Sequence, residues 1–263
     1  MDKLEKALEK ARRLRETTTA GVFPSFSART QAAAPAQNPP HSTEAIAIDE
    51  MLLEQNRILA HRPQSAEADI YRILRTQVLQ IMNKSDFRTL AITSPRYGDG
   101  KTTTALNLAL SIALDLKQTV LLVDLDLRKP TVDKFLGLGN AMGLTNYLVN
   151  DTPIPDCLAR LPFERLSVLP GGNALENSSE ILGSPKMAAL ANELKARYHD
   201  RLVIYDMPPV LAQDDSIAFL PHVDATLVVV RDGTTRTDDL KTCLERLSNA
   251  NIIGTVLNNS TQG

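Results

Sequence analysis

The segment Ser94–Thr104, SPRYGDGKTTT, has the composition of a loop that binds phosphate groups. Its glycines let backbone N–H groups turn toward an anion, Lys101 supplies positive charge for the β and γ phosphates, and Thr102 offers a hydroxyl to Mg²⁺. The usual pattern G-x-x-x-x-G-K-[ST] fails at its first glycine, where Pro95 stands. The spacing predicts a nucleotide site, and the alternative is an ordinary turn between a strand and a helix. The predicted nucleotide contacts are Gly98, Asp99, Gly100, Lys101, Thr102 and Thr103.

A second candidate site is the pair of acids within Val120–Pro130, VLLVDLDLRKP. Asp124 and Asp126 are two residues apart, so both side chains point to the same side of an extended chain. Carboxylates at the end of a buried strand are costly unless something binds them, and Mg²⁺ prefers such oxygen ligands. The alternative is a pair of solvated loop acids that cap a helix.

A third candidate site ends the apolar run in Leu202–Pro209, LVIYDMPP. Its carboxylate, Asp206, matches the acid of a Walker B strand, which holds Mg²⁺ directly or through water. The two prolines that follow fix the path of the chain as it leaves the strand. Taken alone, this motif would favour an ordinary strand end, and beside the other two sites it favours the Walker B strand.

Short apolar runs alternate with helical stretches around these motifs, and most of the runs are continuous, as in strands buried on both faces. The predicted strands are Thr89–Thr93, Thr119–Leu125, Leu166–Pro170, Leu202–Asp206, Thr226–Val230 and Ile252–Leu257. The predicted helices between them include Thr102–Asp115, Pro185–Tyr198 and Asp238–Asn249. This alternation predicts an α/β fold with a doubly wound, mostly parallel sheet that binds ligands at the carboxyl ends of its strands.

The N-terminal part of the chain has a different character. Residues 1–16 have an apolar stripe at helical spacing and predict an amphipathic helix, either a fraying terminal helix or one that docks on another protein. Residues 17–44 are rich in Ser, Thr, Ala and Pro and predict a flexible linker. Two helices are predicted over residues 46–59 and 66–82. The main domain is therefore expected to span residues 45–263, with its nucleotide-binding core at 88–260.

Composition excludes several classes of protein. The 263 residues have a formal net charge of -2, which disfavours a basic surface for nucleic acid. The two cysteines, Cys157 and Cys243, fit no metal-ligand spacing. No apolar run approaches the roughly 20 residues of a membrane-spanning helix, and the charged N-terminus does not resemble a signal peptide. We expect a cytoplasmic protein.

The three motifs together resemble the bacterial tyrosine kinases of polysaccharide export. That family has D-x-D-x-R, met here by Asp124, Asp126 and Arg128, and D-x-P-P, met by Asp206 and the two following prolines. The stretches EKALEKA, RILAHRP, RYHDRLVIYDMPPVL and IIGTVLN are similar to the autokinases of exosortase (PEP-CTERM) loci. The resemblance covers roughly residues 45–260. It implies a P-loop NTPase fold of the ParA/MinD type and an ATP- and Mg²⁺-dependent protein-tyrosine (auto)kinase in exopolysaccharide synthesis.

The resemblance also implies roles for single residues. Lys101 and Thr102 would hold phosphates and Mg²⁺, and Asp126 and Asp206 would organise the metal. Asp124 would be the base or orienting carboxylate for the incoming tyrosine hydroxyl, whose free pKa of about 10 favours an acceptor nearby. Arg128 would neutralise transition-state charge or recognise substrate. Asn258 would contact the adenine, or is a turn residue at a strand end.

Three features depart from the family. Its E-x-x-R-x-x-R motif, on a helix that builds a ring of subunits, becomes Asp69-x-x-Arg72-x-x-Arg75 with Glu67 two residues early. The two arginines share a helix face and favour either a ring or a solvated charged surface. Arg96 stands where ParA/MinD-type ATPases have a lysine that reaches across a dimer, and a surface role is favoured.

The third departure concerns tyrosine. The family's tyrosine-rich C-terminal tail is not found in this sequence, whose tyrosines are Tyr71, Tyr97, Tyr147, Tyr198 and Tyr205. Either the tail is missing from this chain, or the substrate is another protein, or the kinase activity is reduced. Tyr97, in the phosphate loop, and Tyr205, on a core strand, are expected to be poor acceptors. The resemblance implies a membrane chain-length-determinant protein as activator, which would recruit the chain to the inner face of the membrane, and a tyrosine protein substrate. The alternative function is a ParA/MinD-like ATPase that acts as an assembly switch.

Overall fold

The computed structural model describes residues 46–115, 118–197 and 201–260. All of them belong to one compact unit, Pro40–Gly263. The helix predicted over residues 1–16 and the linker predicted over residues 17–44 lie outside the described residues.

Seven strands and eleven helices alternate along the described part of the chain. The strands are β1 (Thr89–Thr93), β2 (Thr119–Asp124), β3 (Ala159–Arg160), β4 (Leu166–Leu169), β5 (Arg201–Asp206), β6 (Ala225–Arg231) and β7 (Ile252–Asn258). The α-helices are α1 (Glu50–Gln55), α2 (Ala66–Lys84), α3 (Lys101–Ala113), α4 (Val132–Leu136), α5 (Leu144–Asn150), α6 (Ile154–Cys157), α7 (Ser178–Leu182), α8 (Pro185–Ala196), α9 (Asp215–Phe219) and α10 (Thr237–Arg246). A 3₁₀ turn at Leu220–His222 completes the set.

The strands form a single sheet in the order β3-β4-β2-β5-β1-β6-β7. Every neighbouring pair is parallel except β3 and β4, which are antiparallel. All six predicted strands are confirmed within one residue at each end. Strand β3 was not predicted, because two residues are too few to form a recognisable apolar run. The doubly wound, mostly parallel α/β fold is therefore confirmed.

Hydrophobic residues pack on both faces of the sheet because successive side chains of a strand point to opposite sides. In β1, Leu90 and Ile92 belong to the core cluster that includes α3, whereas Ala91 belongs to the cluster that includes α8. All five residues of β1 are buried. A sheet covered on both faces leaves its carboxyl edge as the place for polar chemistry.

The helix predicted over residues 46–59 is wrong in extent. Residues 46–49 are not helical, and Ile46 donates its N–H to the carbonyl of Arg160 in β3. Ile46 and Ile48 alternate as in an extended chain, and both pack against the core. The carboxylate of Asp49 then accepts the N–H of Met51, at 2.9 Å, and caps α1, which is only six residues long.

Helix α2 is predicted almost as it is found. Ser65 caps its start by accepting the N–H of Ala68, and the helix continues two residues beyond the predicted end. Within the described ranges, no helix is long and apolar enough to span a membrane. Cys157 and Cys243 are buried free thiols.

Candidate active site

The loop between β1 and α3 has the conformation that phosphate binding requires. Gly98 and Gly100 have φ angles of +85° and +98°, in the region that side chains with a Cβ rarely adopt. Gly100 is the residue before α3, so the first N–H groups of that helix point out of the carboxyl edge of the sheet. The loop therefore offers backbone donors and a helix N-terminus to an anion.

Side chains from the C-terminal half of the chain hold this loop in place. The carboxylate of Asp99 accepts bonds from the Arg96 N–H at 2.8 Å and from the Thr235 hydroxyl at 2.9 Å. The side-chain amide of Asn258, at the end of β7, donates to the Asp99 carbonyl at 2.9 Å. A Cβ atom at Gly100 would lie 1.9 Å from that same amide nitrogen, so any other residue here would have to displace the Asn258 side chain as well as bear the positive φ angle.

The two predicted metal-binding motifs meet at the edge of the sheet. In the pairing of β2 with β5, Asp124 lies beside Asp206. The Nζ atom of Lys101 lies 3.1 Å from the Asp126 carboxylate and 3.5 Å from that of Asp206. Burial would lower the pKa of Lys101, but Asp206 and Asp126 raise it above its ordinary value, so the lysine stays charged.

Thr102 and Asp206 provide a set of oxygen atoms that suits Mg²⁺. The Thr102 hydroxyl donates to one carboxylate oxygen of Asp206 at 2.6 Å. The other oxygen, Oδ1, is buried and accepts no hydrogen bond of normal geometry from the described residues, and the Lys101 ammonium lies 3.5 Å from it. A buried carboxylate oxygen held only by this long ion pair fits a cation ligand. No group of three or more His, Cys, Asp or Glu side chains is placed to hold a metal in the described ranges, so phosphate oxygens would complete the shell.

Asp124 is bonded mainly to the backbone. One of its carboxylate oxygens accepts the N–H of Asp126 at 3.0 Å, and the other accepts those of Thr131 and Val132 at 3.0 and 3.1 Å. Burial, together with the Asp206 carboxylate, raises the pKa of Asp124. This carboxylate therefore shapes the loop that presents Asp126.

Arg128 contacts two residues that the sequence patterns did not identify. Its Nε donates to the Ser178 hydroxyl at 2.9 Å and lies 3.8 Å from the Asp215 carboxylate. Both partners are completely buried, whereas the Arg128 side chain is 42% exposed. A third such residue, Gln213, donates to Asp126 at 3.4 Å. No motif marks these residues, because they lie far from Arg128 in sequence and only the fold brings them to it.

The remaining predicted residues lie at the rim of the site. Thr103 follows Thr102 in the first turn of α3 and is half-buried. Tyr97 is 41% exposed, and the Lys129 ammonium lies 4.5 Å from the centre of its ring. Arg96 forms a two-pronged bond with Asp239 of α10, at 2.7 and 2.9 Å. Arg96 therefore has a surface partner within its own chain.

The described tyrosines differ in access to solvent. Tyr97 is exposed, Tyr71 and Tyr147 are half-buried, and Tyr205 is fully buried. Burial raises the pKa of both Tyr71 and Tyr205. Tyr205 has the position expected of a poor acceptor, and Tyr97 is more accessible than expected.

The two arginines of α2 are bonded within the chain. Arg72 donates to the carbonyl of Pro63 at 3.1 Å and pairs with Asp69, while Arg75 donates to the carbonyl of Ser111 at 2.7 Å. Ile70 and Ile73 on the same helix are 63% and 62% exposed. The outer face of α2 is therefore more apolar than its sequence motif suggests.

Comparison with known proteins gives consistent matches. Residues 87–251 match the AAA_31 family, described as an AAA domain. The tyrosine-protein kinase YwqD of Bacillus subtilis (strain 168) is 33% identical over 208 residues, which cover 78% of this chain and 86% of YwqD. The succinoglycan biosynthesis transport protein ExoP of Rhizobium meliloti (strain 1021) is 30% identical over 219 residues, which cover 81% of this chain but 28% of ExoP.

Solved structures match the same region. The VpsO kinase domain superposes with a TM-score of 0.68 and 32% identity, over 79% of this chain and 98% of that one. MinD of Pyrococcus horikoshii OT3, solved with Mg-ADP, has a TM-score of 0.55 and 23% identity, over 67% of this chain and 72% of that one. The MinD match supports the fold alone, and it agrees with the predicted P-loop NTPase architecture.

Proposed function

The chain belongs to the bacterial tyrosine-protein kinase family, and from this premise we propose that it transfers the γ-phosphate of ATP to protein tyrosine. The observation that carries the proposal is the buried cluster at the carboxyl edge of the sheet. It joins Lys101, Asp126 and Asp206 within 3.5 Å, next to the Thr102 hydroxyl. A loop for phosphates and oxygen ligands for a cation therefore meet at one point.

The residues of the cluster divide the work of phosphoryl transfer. The backbone N–H groups at Gly98, Gly100 and the start of α3 bind the β and γ phosphates, and Lys101 neutralises their charge. Thr102, Asp126 and Asp206 would hold Mg²⁺, which supplies charge neutralisation and orients the phosphates when bound. Because the transition state is loose, positioning matters more than proton removal, and this agrees with an orienting Asp124.

Asp99 and Asn258, both predicted as nucleotide contacts, receive a more specific role in this proposal. The Asp99 carboxylate accepts bonds from Arg96 and Thr235, and the Asn258 side-chain amide donates to the Asp99 carbonyl. We assign them to holding the loop in its binding conformation. Contact of Asn258 with adenine stays a prediction.

Assembly is part of the proposal. The exposed Ile70 and Ile73 of α2 and its two arginines provide a surface for a second copy, as a ring of subunits requires. The chain would lie in the cytoplasm and reach the inner face of the membrane through a chain-length-determinant protein. Exopolysaccharide synthesis is the process proposed, in line with the similarity to the succinoglycan biosynthesis transport protein ExoP.

A second function is favoured by one observation. Of the described tyrosines only Tyr97 is exposed, and it lies in the phosphate loop rather than on a tail. A ParA/MinD-like ATPase that switches its assembly state would need no acceptor tyrosine. Such a protein would hydrolyse ATP and leave no phosphotyrosine on itself or on a partner.

Phosphotyrosine mapping by mass spectrometry tests the proposal. Purified protein is incubated with Mg·ATP, with and without the cytoplasmic segment of the membrane partner, beside the variants Lys101→Met and Lys134→Met. Lys134 is an exposed lysine of α4, so its variant controls for loss of a positive charge. We expect phosphotyrosine with the unmodified chain and Lys134→Met and none with Lys101→Met. ATP turnover without phosphotyrosine would favour the assembly switch.

A further inference from the structure

A buried acid beside the active site has no role in the function proposed above. Asp215, the first residue of α9, is completely buried. Neither of its carboxylate oxygens accepts a hydrogen bond of normal geometry from the described residues. Burial raises the pKa of this carboxyl, while the neighbouring Ser178 hydroxyl and Arg128 act to lower it. A buried acid that accepts no close hydrogen bond and has its nearest cation, Arg128, 3.8 Å away is costly, so stability does not explain this position.

The guanidinium of Arg128 is held by only one of its edges. Its Nε donates to Ser178 at 2.9 Å and lies 3.8 Å from Asp215, while its two terminal nitrogens bond to none of the described residues. A guanidinium with both terminal nitrogens available is suited to two-pronged contact with a phosphoryl group. The contacts at Nε therefore fix the direction of the guanidinium and leave its two terminal nitrogens available to a ligand.

The segment that contains Asp215 contacts both ends of residues 126–128, which follow β2 and which we call the acidic loop. Gln213 donates to the carboxylate of Asp126, the residue paired with Lys101, and Asp215 lies beside Arg128 two residues further on. The chain that leaves β5 after Asp206 thus returns to brace the loop that follows β2. Arg128 is thereby tied to the same cluster as the phosphate-loop lysine.

We propose that Asp215 is a positioning residue that, with Ser178, holds the Nε edge of Arg128 and aims its terminal nitrogens at the phosphoryl group in transfer. The inference rests on the proposed kinase function and deepens it, because it assigns Arg128 to the transition state rather than to substrate recognition. Asp215 acts through Arg128, and its effect disappears when Arg128 is absent.

A double-mutant cycle tests this assignment. The variants are Asp215→Asn, Arg128→Ala and the combination, with Asp214→Asn as the control, because Asp214 is an exposed acid one residue away. We expect Asp215→Asn to lower kcat by about tenfold or more, as loss of an orienting partner commonly does. The combination should be no slower than Arg128→Ala alone. The KM for the acceptor and the affinity for Mg·ATP should not change.

Stability separates a positioning role from a structural one. Asp215→Asn removes a buried charge that is paired with Arg128 only at 3.8 Å, and Arg128 is 42% exposed and stays solvated, so the melting temperature should equal or exceed that of the unmodified chain. Free guanidinium should restore part of the rate to Arg128→Ala but not to the combined variant. Ser178→Ala provides an independent variant and should lower kcat in the same direction.

Three outcomes would overturn the inference. The first is a combined variant whose loss of kcat equals the product of the two single losses. The second is a fall in melting temperature that accounts for the lost activity. The third is a rise in the KM for the acceptor at constant kcat. The double-mutant cycle compares the rates of variants and so tests the role of Asp215. The formation of phosphotyrosine by the unmodified chain tests the proposed kinase function. If the unmodified chain releases ADP without forming phosphotyrosine, the proposed function fails, and the same cycle run on ADP release still tests Asp215.

Discussion

The carboxyl edge of the sheet and the outer face of α2 both contain charged side chains, in opposite physical settings. At the edge, Lys101 shares a buried cluster with Asp126 and Asp206, and one oxygen of Asp206 accepts no hydrogen bond from the described residues. On α2, Arg72 and Arg75 are bonded to neighbouring groups of their own chain.

The two regions therefore depend on different side chains. At the edge, buried acids outnumber the lysine that pairs with them and a bound cation would offset the excess charge, so single charged side chains should decide activity. On α2 both arginines have bonded partners within the chain, and the exposed apolar side chains are the unexplained feature. Assembly should therefore depend on isoleucines more than on arginines.

Asp206→Asn is the sharpest test of the edge and should have the largest effect. Phosphoryl transfer should fall by about a hundred- to a thousandfold, as when a preorganised transition-state contact is lost. The amide oxygen of the new asparagine still accepts the Thr102 hydroxyl, and the substitution removes one of several buried charges that lie close together. The metal-free variant should therefore melt no lower than the metal-free unmodified chain. Rates of phosphotyrosine formation and thermal melts measure both effects.

Asp86→Asn is the matched control for this prediction, because Asp86 is an exposed acid away from the carboxyl edge. A melting temperature that collapses in Asp206→Asn alone would contradict the view that Asp206 serves function at the expense of stability.

Gly100→Ala should have the next largest effect. The φ angles of Gly98 and Gly100 are both positive, so alanine at either should cost about 1–2 kcal/mol of unfolding free energy. At Gly100 the new Cβ would also meet the Asn258 amide, whereas at Gly98 nothing lies within 4 Å. Gly100→Ala should therefore lose more stability than Gly98→Ala, and it should also bind nucleotide more weakly. Thermal melts measure the first effect, and titration with Mg·ATP measures the second.

Asn258→Ala provides the complementary test, since it removes the atoms that the alanine at position 100 would strike. Combining the two substitutions should restore part of the melting temperature lost in Gly100→Ala. No restoration would show that backbone strain alone accounts for the loss.

Ile73→Asp should weaken self-association and leave the monomer intact. The side chain is 62% exposed, so the substitution costs the folded monomer little, whereas a buried charge in an assembly interface is strongly unfavourable. Sedimentation velocity should give an association at least about tenfold weaker, the equivalent of roughly 1.4 kcal/mol. Val149→Asp, on the exposed side of α5, is the control for adding a charge. Equal association in both variants would remove α2 from the interface.

Arg96→Ala should have the smallest effect. Its bond to Asp239 lies at the surface, where ion pairs contribute little, so the melting temperature should change by at most about 2 °C. ATP turnover should also stay close to that of the unmodified chain. A large loss of turnover in a well-folded Arg96→Ala protein would mean that Arg96 leaves Asp239 and acts in a neighbouring subunit.

Sequence patterns predicted the sheet and the charged residues at its carboxyl edge because both are marked by short stretches of sequence. Buried parallel strands are continuous apolar runs, and the residues that end them, Asp124 and Asp206, stand where the chain leaves the core. The exceptions in the fold were β3, which is only two residues long, and residues 46–49, where an alternating apolar pattern and the capping acid Asp49 mark an extended segment before a short helix.

The features of the site that were not predicted depend on contacts between segments that are distant in sequence. Asp99 was expected to contact nucleotide, yet its side chain bonds to Arg96 and to Thr235 of the turn after β6. Asp215 and Ser178 meet Arg128 only because α7 and α9 pack beside the acidic loop. Neither residue type nor spacing carries this information, since it arises from tertiary packing.

The bond between Asn258 and the phosphate loop has a consequence for the synthesis of the protein. It joins residues 159 positions apart, and β7 comes after every motif of the site. A growing chain therefore contains all of the catalytic side chains well before its loop is held in shape. Ribosome-bound chains arrested before residue 258 emerges should retain nucleotide poorly, and those arrested after it should retain it well. Activity would thus be withheld from the nascent chain until β7 has joined the sheet.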